Sequence, residues 1–328
     1  MILTVVGSYP RTPNRPRPAR LRRAIARQDQ GEISLEELHR VEDEVTREVI
    51  DEQVKAGLDL VTDGLVRWDD PLTYVARKLR GVEVGGLLRY FDTNTYFRQP
   101  SVTAEIAWTG PITVRDFEFA RQHSPKPVKP VLPGPFTLAK LSRDTHYHHL
   151  ERLAMGYARA LHQEAKALEA AGASLVQFDE PAICRAKDEV GIFERVEHTL
   201  VEGLKVKTAL YTYFGDVDGI EHEVFRSPFR VIGLDFVMGR GNMAALKRGH
   251  FDKELGFGVV DARNTRLESP EEIAGRVHEI SSLVPSHRLY VNPSCGLEFL
   301  PREEAFEKLK RMAEGAHLAL EGSHRSRA

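Results

Sequence analysis

Residues 174–181 read SLVQFDEP, and the fold turns on how that stretch is understood. Leu175, Val176 and Phe178 show no in-and-out alternation around Gln177, and the run stops abruptly at Asp179, Glu180 and Pro181. A short, nearly continuous apolar run of this kind fits a strand covered on both faces, as in a parallel sheet. Seven more runs share the pattern: LTVVGS (3–8), LDLVTDG (58–64), VKPVLPG (128–134), TALYTYFG (208–215), VIGLDFV (231–237), LGFGVVDA (255–262) and LYVNPSCG (289–296). The apolar part of each is closed by Gly, Pro, Asp or Cys, and helical stretches lie between them.

The helices announce their own ends. Ser34 with Glu37 forms a capping box, the stripe Leu38, Val41, Val45, Val49 follows on one face, and Gly57 stops it. Leu150, Leu153, Tyr157, Leu161 and Leu168 make a second stripe before Gly172. Ser269, Pro270 and Glu272 supply an N-cap, a proline at the first helical position and a capping carboxylate. Pro301 opens a last helix with Ala305, Leu309 and Met312 at core spacing. Eight strand-like runs alternating with helices predict an α/β protein, a (β/α)8 TIM barrel, over residues 1–328 as a single domain. A doubly wound open sheet is the alternative, but its glycine-rich first turn is not matched by Gly7-Ser8-Tyr9-Pro10.

Two segments stand outside the repeat. Residues 11–33 form an Arg/Pro-rich arm with Arg11, Arg15, Arg17, Arg20, Arg22, Arg23 and Arg27, suited either to a polyanion or to a solvated surface arm. Residues 80–125, after the second strand, carry GLLRYFDTNTYFRQP and TAEIAWTG, which predict a β-hairpin insertion over the barrel mouth. Trp68, Trp108, Tyr90, Phe91, Tyr96 and Phe97 could stack on a flat ligand there or pack beneath the hairpin.

Composition narrows the function classes. Forty-six Lys+Arg against 48 Asp+Glu leave a formal charge of −2, which argues against a protein built to neutralise nucleic-acid phosphate. No apolar run approaches a membrane span, and the amino-terminal MILTVVGSYP lacks a charged n-region with a cleavage site. Two cysteines, Cys184 and Cys295, make no disulfide framework, so a cytoplasmic protein is expected.

In a (β/α)8 barrel, chemistry sits at the carboxyl ends of the strands. Those ends carry Ser8, Asp63, Asp179 with Glu180, Thr212, Asp235, Asp261 with Arg263, and Asn292 with Cys295, a polar set suited to a small polar molecule. Cys295 and Asp235 are candidate metal ligands, but a catalytic zinc needs at least three protein ligands, and the chain has no His-x-Cys or Cys-x-x-Cys pair. His146, His148 and His149 read as a solvated cluster at a helix start.

These segments resemble a known family. VGSYPRT, AGLDLVTDGLVRWDDP, RYFDTNTYFRQP, PVLPGPFTLAKLS, LVQFDEPAI, TYFGDV, GLDFV, GVVDARN and NPSCG occur in the order found in the cobalamin-independent methionine synthase family. The resemblance implies a barrel that transfers a methyl group to the sulfur of homocysteine in methionine biosynthesis, with zinc activating the thiol and a folate or corrinoid as methyl donor. It implies that Ser8 and Asp179 hold the amino-acid substrate, that Arg263, standing where the family has a histidine, contacts substrate, and that Cys295 and Asp235 match zinc ligands. The family's His-x-Cys pair falls on Thr212 and Phe214, its carboxylate after Gly64 on Leu65, and its folate-stacking tryptophan on Leu141. In these departures the chain is most similar to the amino-terminal half of the two-barrel enzyme. The resemblance therefore also implies an alternative: a non-catalytic folate- or amino-acid-binding barrel working with a separate zinc-bearing methionine synthase subunit. Neither nucleic acid nor membrane is expected as a partner.

Overall fold

The structure is a computed structural model and describes residues 1–13 and 19–325. Arg15 and Arg17 of the basic arm lie outside the described residues. In chain order the strands are β1 (Ile2–Leu3), β2 (Arg80–Arg89), β3 (Tyr96–Ala107), β4 (Val131–Pro133), β5 (Arg143–Asp144), β6 (Leu175–Asp179), β7 (Lys207–Tyr211), β8 (Val231–Asp235), β9 (Glu254–Val260) and β10 (Leu289–Pro293). Seven of them form a sheet in the order β1-β10-β9-β8-β7-β6-β4, while β2, β3 and β5 form a second, three-stranded one. The paired neighbours β1/β10, β4/β6, β6/β7 and β7/β8 all run parallel. This is an α/β fold, and its contacts divide the chain into two compact units.

The first unit comprises Met1–Arg67, Phe119–Val128 and Phe257–Ala328. Here β1 pairs with β10, and the run at 58–64 is held by isolated parallel bridges, Thr4 to Leu60 and Val61 to Val128. That run forms no longer strand for a visible reason: the Gln53 side chain takes both the N–H and the C=O of Thr62, each at 3.0 Å, in place of a neighbouring strand. Gln53 belongs to the helix Leu35–Lys55, whose Ser34–Glu37 capping box forms in both directions. Gly57 accepts φ +93° after its last turn, a left-handed conformation that glycine enters without steric cost. The Ser269–Glu272 box opens the helix Pro270–Ser281 in the same way. Part of the basic arm is helical: Arg20–Asp29 forms a helix whose Arg20 pairs with Glu44 at 2.9 Å and Glu48 at 2.8 Å.

The second unit comprises Trp68–Glu118 and Lys129–Gly256. Strands β4, β6, β7 and β8 are buried almost throughout, as their unbroken apolar sequences predict. The Tyr211 ring lies across Gly233 and Gly256, where an added Cβ would come within 2.3 and 2.7 Å of Tyr211 atoms, so these glycines are spaces for the ring. Strands β2 and β3 pair antiparallel through residues 80–107, whereas the remainder of the 80–125 segment contains the helix Val114–His123. Tyr90 and Phe97 pack beneath this hairpin, 2% and 1% exposed, while Tyr96 points outward. Trp108 is also anchored: its indole N–H donates to Glu164 at 2.7 Å, and Glu164 accepts the N–H groups of Ile112 and Thr113 as well.

Candidate functional site

The strand ends of the second unit gather the denser polar set. Along β6 the side chains of Gln177 and Asp179 fall on one side of the strand, two residues apart. The Gln177 amide donates to Asp179 Oδ1 at 2.7 Å, and the Tyr213 hydroxyl, from the loop after β7, donates to Asp179 Oδ2 at 3.1 Å. Behind them Lys129, only 1% exposed, donates to Gln177 Oε1 and lies 4.8 Å over the Tyr211 ring. Burial pushes the Lys129 ammonium down to about 7, partly opposed by the Asp179 carboxylate. Asp179 is half-buried, and Gln177 and Tyr213 orient its carboxylate.

Glu180, next in sequence, faces elsewhere. Its carboxylate accepts the N–H groups of Phe136 and Thr137, both at 2.7 Å, at the start of the helix Pro135–Leu141. An added Cβ at Gly134 would meet this carboxyl at 2.1 Å, so the close approach requires glycine there. Glu197 adjoins Glu180 and is equally buried, and neither of its oxygens finds an N–H or O–H donor. Burial raises both carboxyls above the ordinary range, and the repulsion between them adds to the shift at Glu197.

Asp235, at the end of β8, is fully buried. Its Oδ1 accepts the N–H groups of Val237 and Met238 at 2.8 and 2.9 Å, and its Oδ2 accepts that of Phe214 at 3.2 Å. Thr212 turns its hydroxyl to the Gly233 carbonyl at 3.3 Å. Phe214, at φ +65°, packs its ring 5.8 Å from Phe91 and 6.1 Å from Tyr90 at the hairpin tip. Arg185 pairs with Asp92 of the same tip at 2.6 Å. Cys184 is buried beside Thr212, and burial pushes its thiol up to about 12.

In the first unit, Ser8 donates its hydroxyl to the Glu298 carboxylate, and its C=O accepts the N–H of Leu297 at 3.0 Å. Burial raises the Glu298 carboxyl, with the Ser8 bond opposing. Gly296 leaves room for this contact: a Cβ there would lie 2.1 Å from Ser8 Oγ. Cys295 is buried, its thiol 3.5 Å from the Gly296 carbonyl. Arg263 is half-buried, and its backbone N–H donates to Asp261 Oδ1 at 2.9 Å.

Sequence reasoning missed Lys129, Gln177, Tyr213, Glu197 and Glu298 as parts of these sites. A signal existed for Lys129 and Gln177, charged or polar residues inside runs otherwise apolar. Glu298, two residues beyond NPSCG, carried none.

The residues present do not fit the zinc centre that the sequence resemblance implies. Both Asp235 oxygens accept backbone N–H groups, the Thr212 hydroxyl is a weak neutral donor directed at a carbonyl, and Phe214 offers a hydrocarbon ring. Among the described residues no three His, Cys, Asp or Glu side chains form a group able to hold a metal ion. No helix among them is long and apolar enough to cross a membrane.

Comparison with known proteins places the chain. Methionine synthases of Saccharolobus solfataricus and Sulfurisphaera tokodaii are 34% and 33% identical to it, each over 97% of this chain and over 94% and 92% of their own lengths. A solved B12-independent methionine synthase from Shewanella sp. W3-18-1, in complex with selenomethionine, superposes with a TM-score of 0.86 at 25% identity, covering 98% of both chains. A structure described as a vitamin-B12-independent methionine synthase from Listeria monocytogenes shares the fold, with a TM-score of 0.77 at 19% identity over 95% of this chain and 96% of its own. The family model described as cobalamin-independent synthase, catalytic domain, matches residues 1–318. The chain belongs to the cobalamin-independent methionine synthase family.

Proposed function

We propose that this chain serves methionine biosynthesis as a methionine-synthase-type barrel that binds homocysteine, the acceptor of a methyl group, and its product methionine. In this reading the fold class is the (β/α)8 TIM barrel with a hairpin insertion after the second strand, and a folate or corrinoid supplies the methyl group. Asp179 pairs with the ammonium of the amino acid. The observation that carries the reading is the half-buried Asp179 carboxylate, oriented by Gln177 and Tyr213 at the end of a strand. A carboxylate so held loses little freedom when a cation arrives, which favours binding. The selenomethionine bound by the Shewanella relative supports the choice of ligand class.

Methyl transfer forms the S–CH3 bond as the donor's bond to methyl breaks, and the homocysteine thiol gives up its proton. With a thiol pKa near 8–9, that proton is mostly in place at neutral pH. Thr212, Phe214 and the committed oxygens of Asp235 offer no activation of the thiol by metal, and this favours a second reading. In it, the chain binds amino acid or methyl donor while a separate zinc-bearing single-barrel subunit carries out the transfer.

Calorimetry with L-methionine and L-homocysteine tests the first claim. Asp179→Ala should weaken binding by about 2–5 kcal/mol, a loss of thirtyfold or more, by leaving the ligand ammonium unpaired. Unchanged affinity would remove the assignment. Methyl transfer by the purified chain alone selects the first reading, whereas transfer that requires a zinc-bearing single-barrel protein selects the second.

A further inference from the structure

Lys129 is a buried cation with no carboxylate at ion-pairing distance among the described residues. Such a side chain is costly to keep charged, and proteins retain one where its proton has a use. Lys129 precedes β4, where Val131 stands opposite Gln177 in the register, so the lysine nitrogen and the glutamine amide meet inside the sheet. One face of the Gln177 amide accepts from Lys129 and the other donates to Asp179. A hydrogen-bonded relay therefore runs from ammonium to amide to carboxylate. From β7 the Tyr211 ring faces the lysine at 4.8 Å, and from β6 Asp179 is the charged group it feels.

We propose that Lys129 is a positioning residue for Asp179 whose proton is exchanged for the ammonium of the bound amino acid. The inference rests on the assignment of Asp179 to that ammonium. Before binding, protonated Lys129 polarises the Gln177 amide and partly balances the carboxylate. When the ligand's ammonium takes over that balance, the buried lysine holds a charge with nothing to offset it. It then releases one proton to solvent while the ligand keeps its own. No bond other than N–H is broken, and charge is conserved: one cation enters and one proton leaves. Because burial has brought Lys129 down to about 7, the exchange falls in the neutral range.

The sign of the pH dependence follows. Binding that expels a proton strengthens as pH rises through the lysine's own titration and levels off above it. Methionine affinity should therefore rise up to about tenfold from pH 6 to pH 8. At pH 7, up to about half a proton should be released per ligand bound, read by titration calorimetry in buffers of different ionisation enthalpy. Lys129→Met keeps the length and apolar stem of the side chain, and should abolish both the proton release and the pH dependence. Gln177→Met, which cuts the relay but leaves the lysine, should reduce both.

The buried Glu180–Glu197 pair also carries a raised proton affinity, so Glu197→Gln is the control, and proton release should survive it. Release that persists in Lys129→Met, or that vanishes in Glu197→Gln, overturns the proposal. So does a pH-independent affinity in the unaltered protein. Asp179→Asn separates the two levels: if it leaves methionine affinity unchanged, the assignment of Asp179 has failed. If it weakens binding while Lys129→Met leaves proton release intact, only the role of Lys129 has failed. Matching thermal unfolding curves for the variants show that loss of release is not loss of fold.

Discussion

Asp179 and Asp235 end strands of the same parallel sheet, two positions apart, and look alike in the sequence; their surroundings give them different work. Asp179 is half-buried and receives side-chain donors, the Gln177 amide and the Tyr213 hydroxyl. Asp235 is fully buried and receives three backbone N–H groups, two from the loop that follows it and one from Phe214. Side-chain donors aim a carboxylate while leaving it able to take a further partner. Backbone donors consume the carboxylate to shape the chain. On the proposed function, the contrast separates a residue that takes a ligand from one kept for the fold.

Removing each carboxylate tests that division, and the larger effect on stability should come from the one with no proposed ligand. Asp235→Ala strands three buried or partly buried N–H groups, at an expected cost of about 4 kcal/mol in urea unfolding. Asp179→Ala should cost about 1 kcal/mol or less in the same measurement while removing amino-acid binding. Equal losses of stability would erase the distinction.

The sequence made the two aspartates legible as strand-end residues because each closes an apolar run, and burial on both faces leaves that pattern on any such strand. All eight runs take part in parallel pairing, although 58–64 does so only as isolated bridges. The reason, Gln53 reaching back from its helix to Thr62, is a tertiary contact with no periodic trace. The capping boxes at Ser34 and Ser269 were readable because they are local. What surrounds each aspartate was not readable, since it depends on which loops arrive there. Phe214 and the hairpin tip at Phe91 meet across more than a hundred residues of chain. Nor does the Arg/Pro-rich composition of 11–33 reveal that Arg20 is tied to Glu44 and Glu48 on the next helix.

A third carboxylate extends the comparison. Glu180 follows Asp179 directly, yet it turns to the backbone of Phe136 and Thr137 and lies beside the buried Glu197. Burial, the leading cause, raises both folded-state carboxyls above the value they have in the unfolded chain. The native state therefore binds more protons than the unfolded one. That stability is fully present below the unfolded carboxylate range and is lost as pH rises through the raised native value. From about pH 5 towards 7 the unfolding free energy should fall as pH rises, by about 1.4 kcal/mol per pH unit for each extra proton the native pair holds. Glu197→Gln, which supplies a permanent N–H donor in place of the proton, should flatten the slope. An unaltered slope would mean that other groups set it.

The smallest expected effect bears most directly on the contrast. Tyr213→Phe removes one hydroxyl and nothing else, and keeps the bond from the Gln177 amide to Asp179. If the carboxylate is aimed by its side-chain donors, loss of one should weaken methionine binding by about 1 kcal/mol, roughly fivefold, through poorer orientation. Thermal stability should hardly move, because the tyrosine ring keeps its packing on Phe214 at 4.7 Å. The reverse result, unchanged affinity with a lowered melting temperature, would make Tyr213 a structural anchor and Asp179 a loop-shaping residue like Asp235. The two aspartates would then differ only in where their donors come from, and the ligand would have to be sought at another strand end.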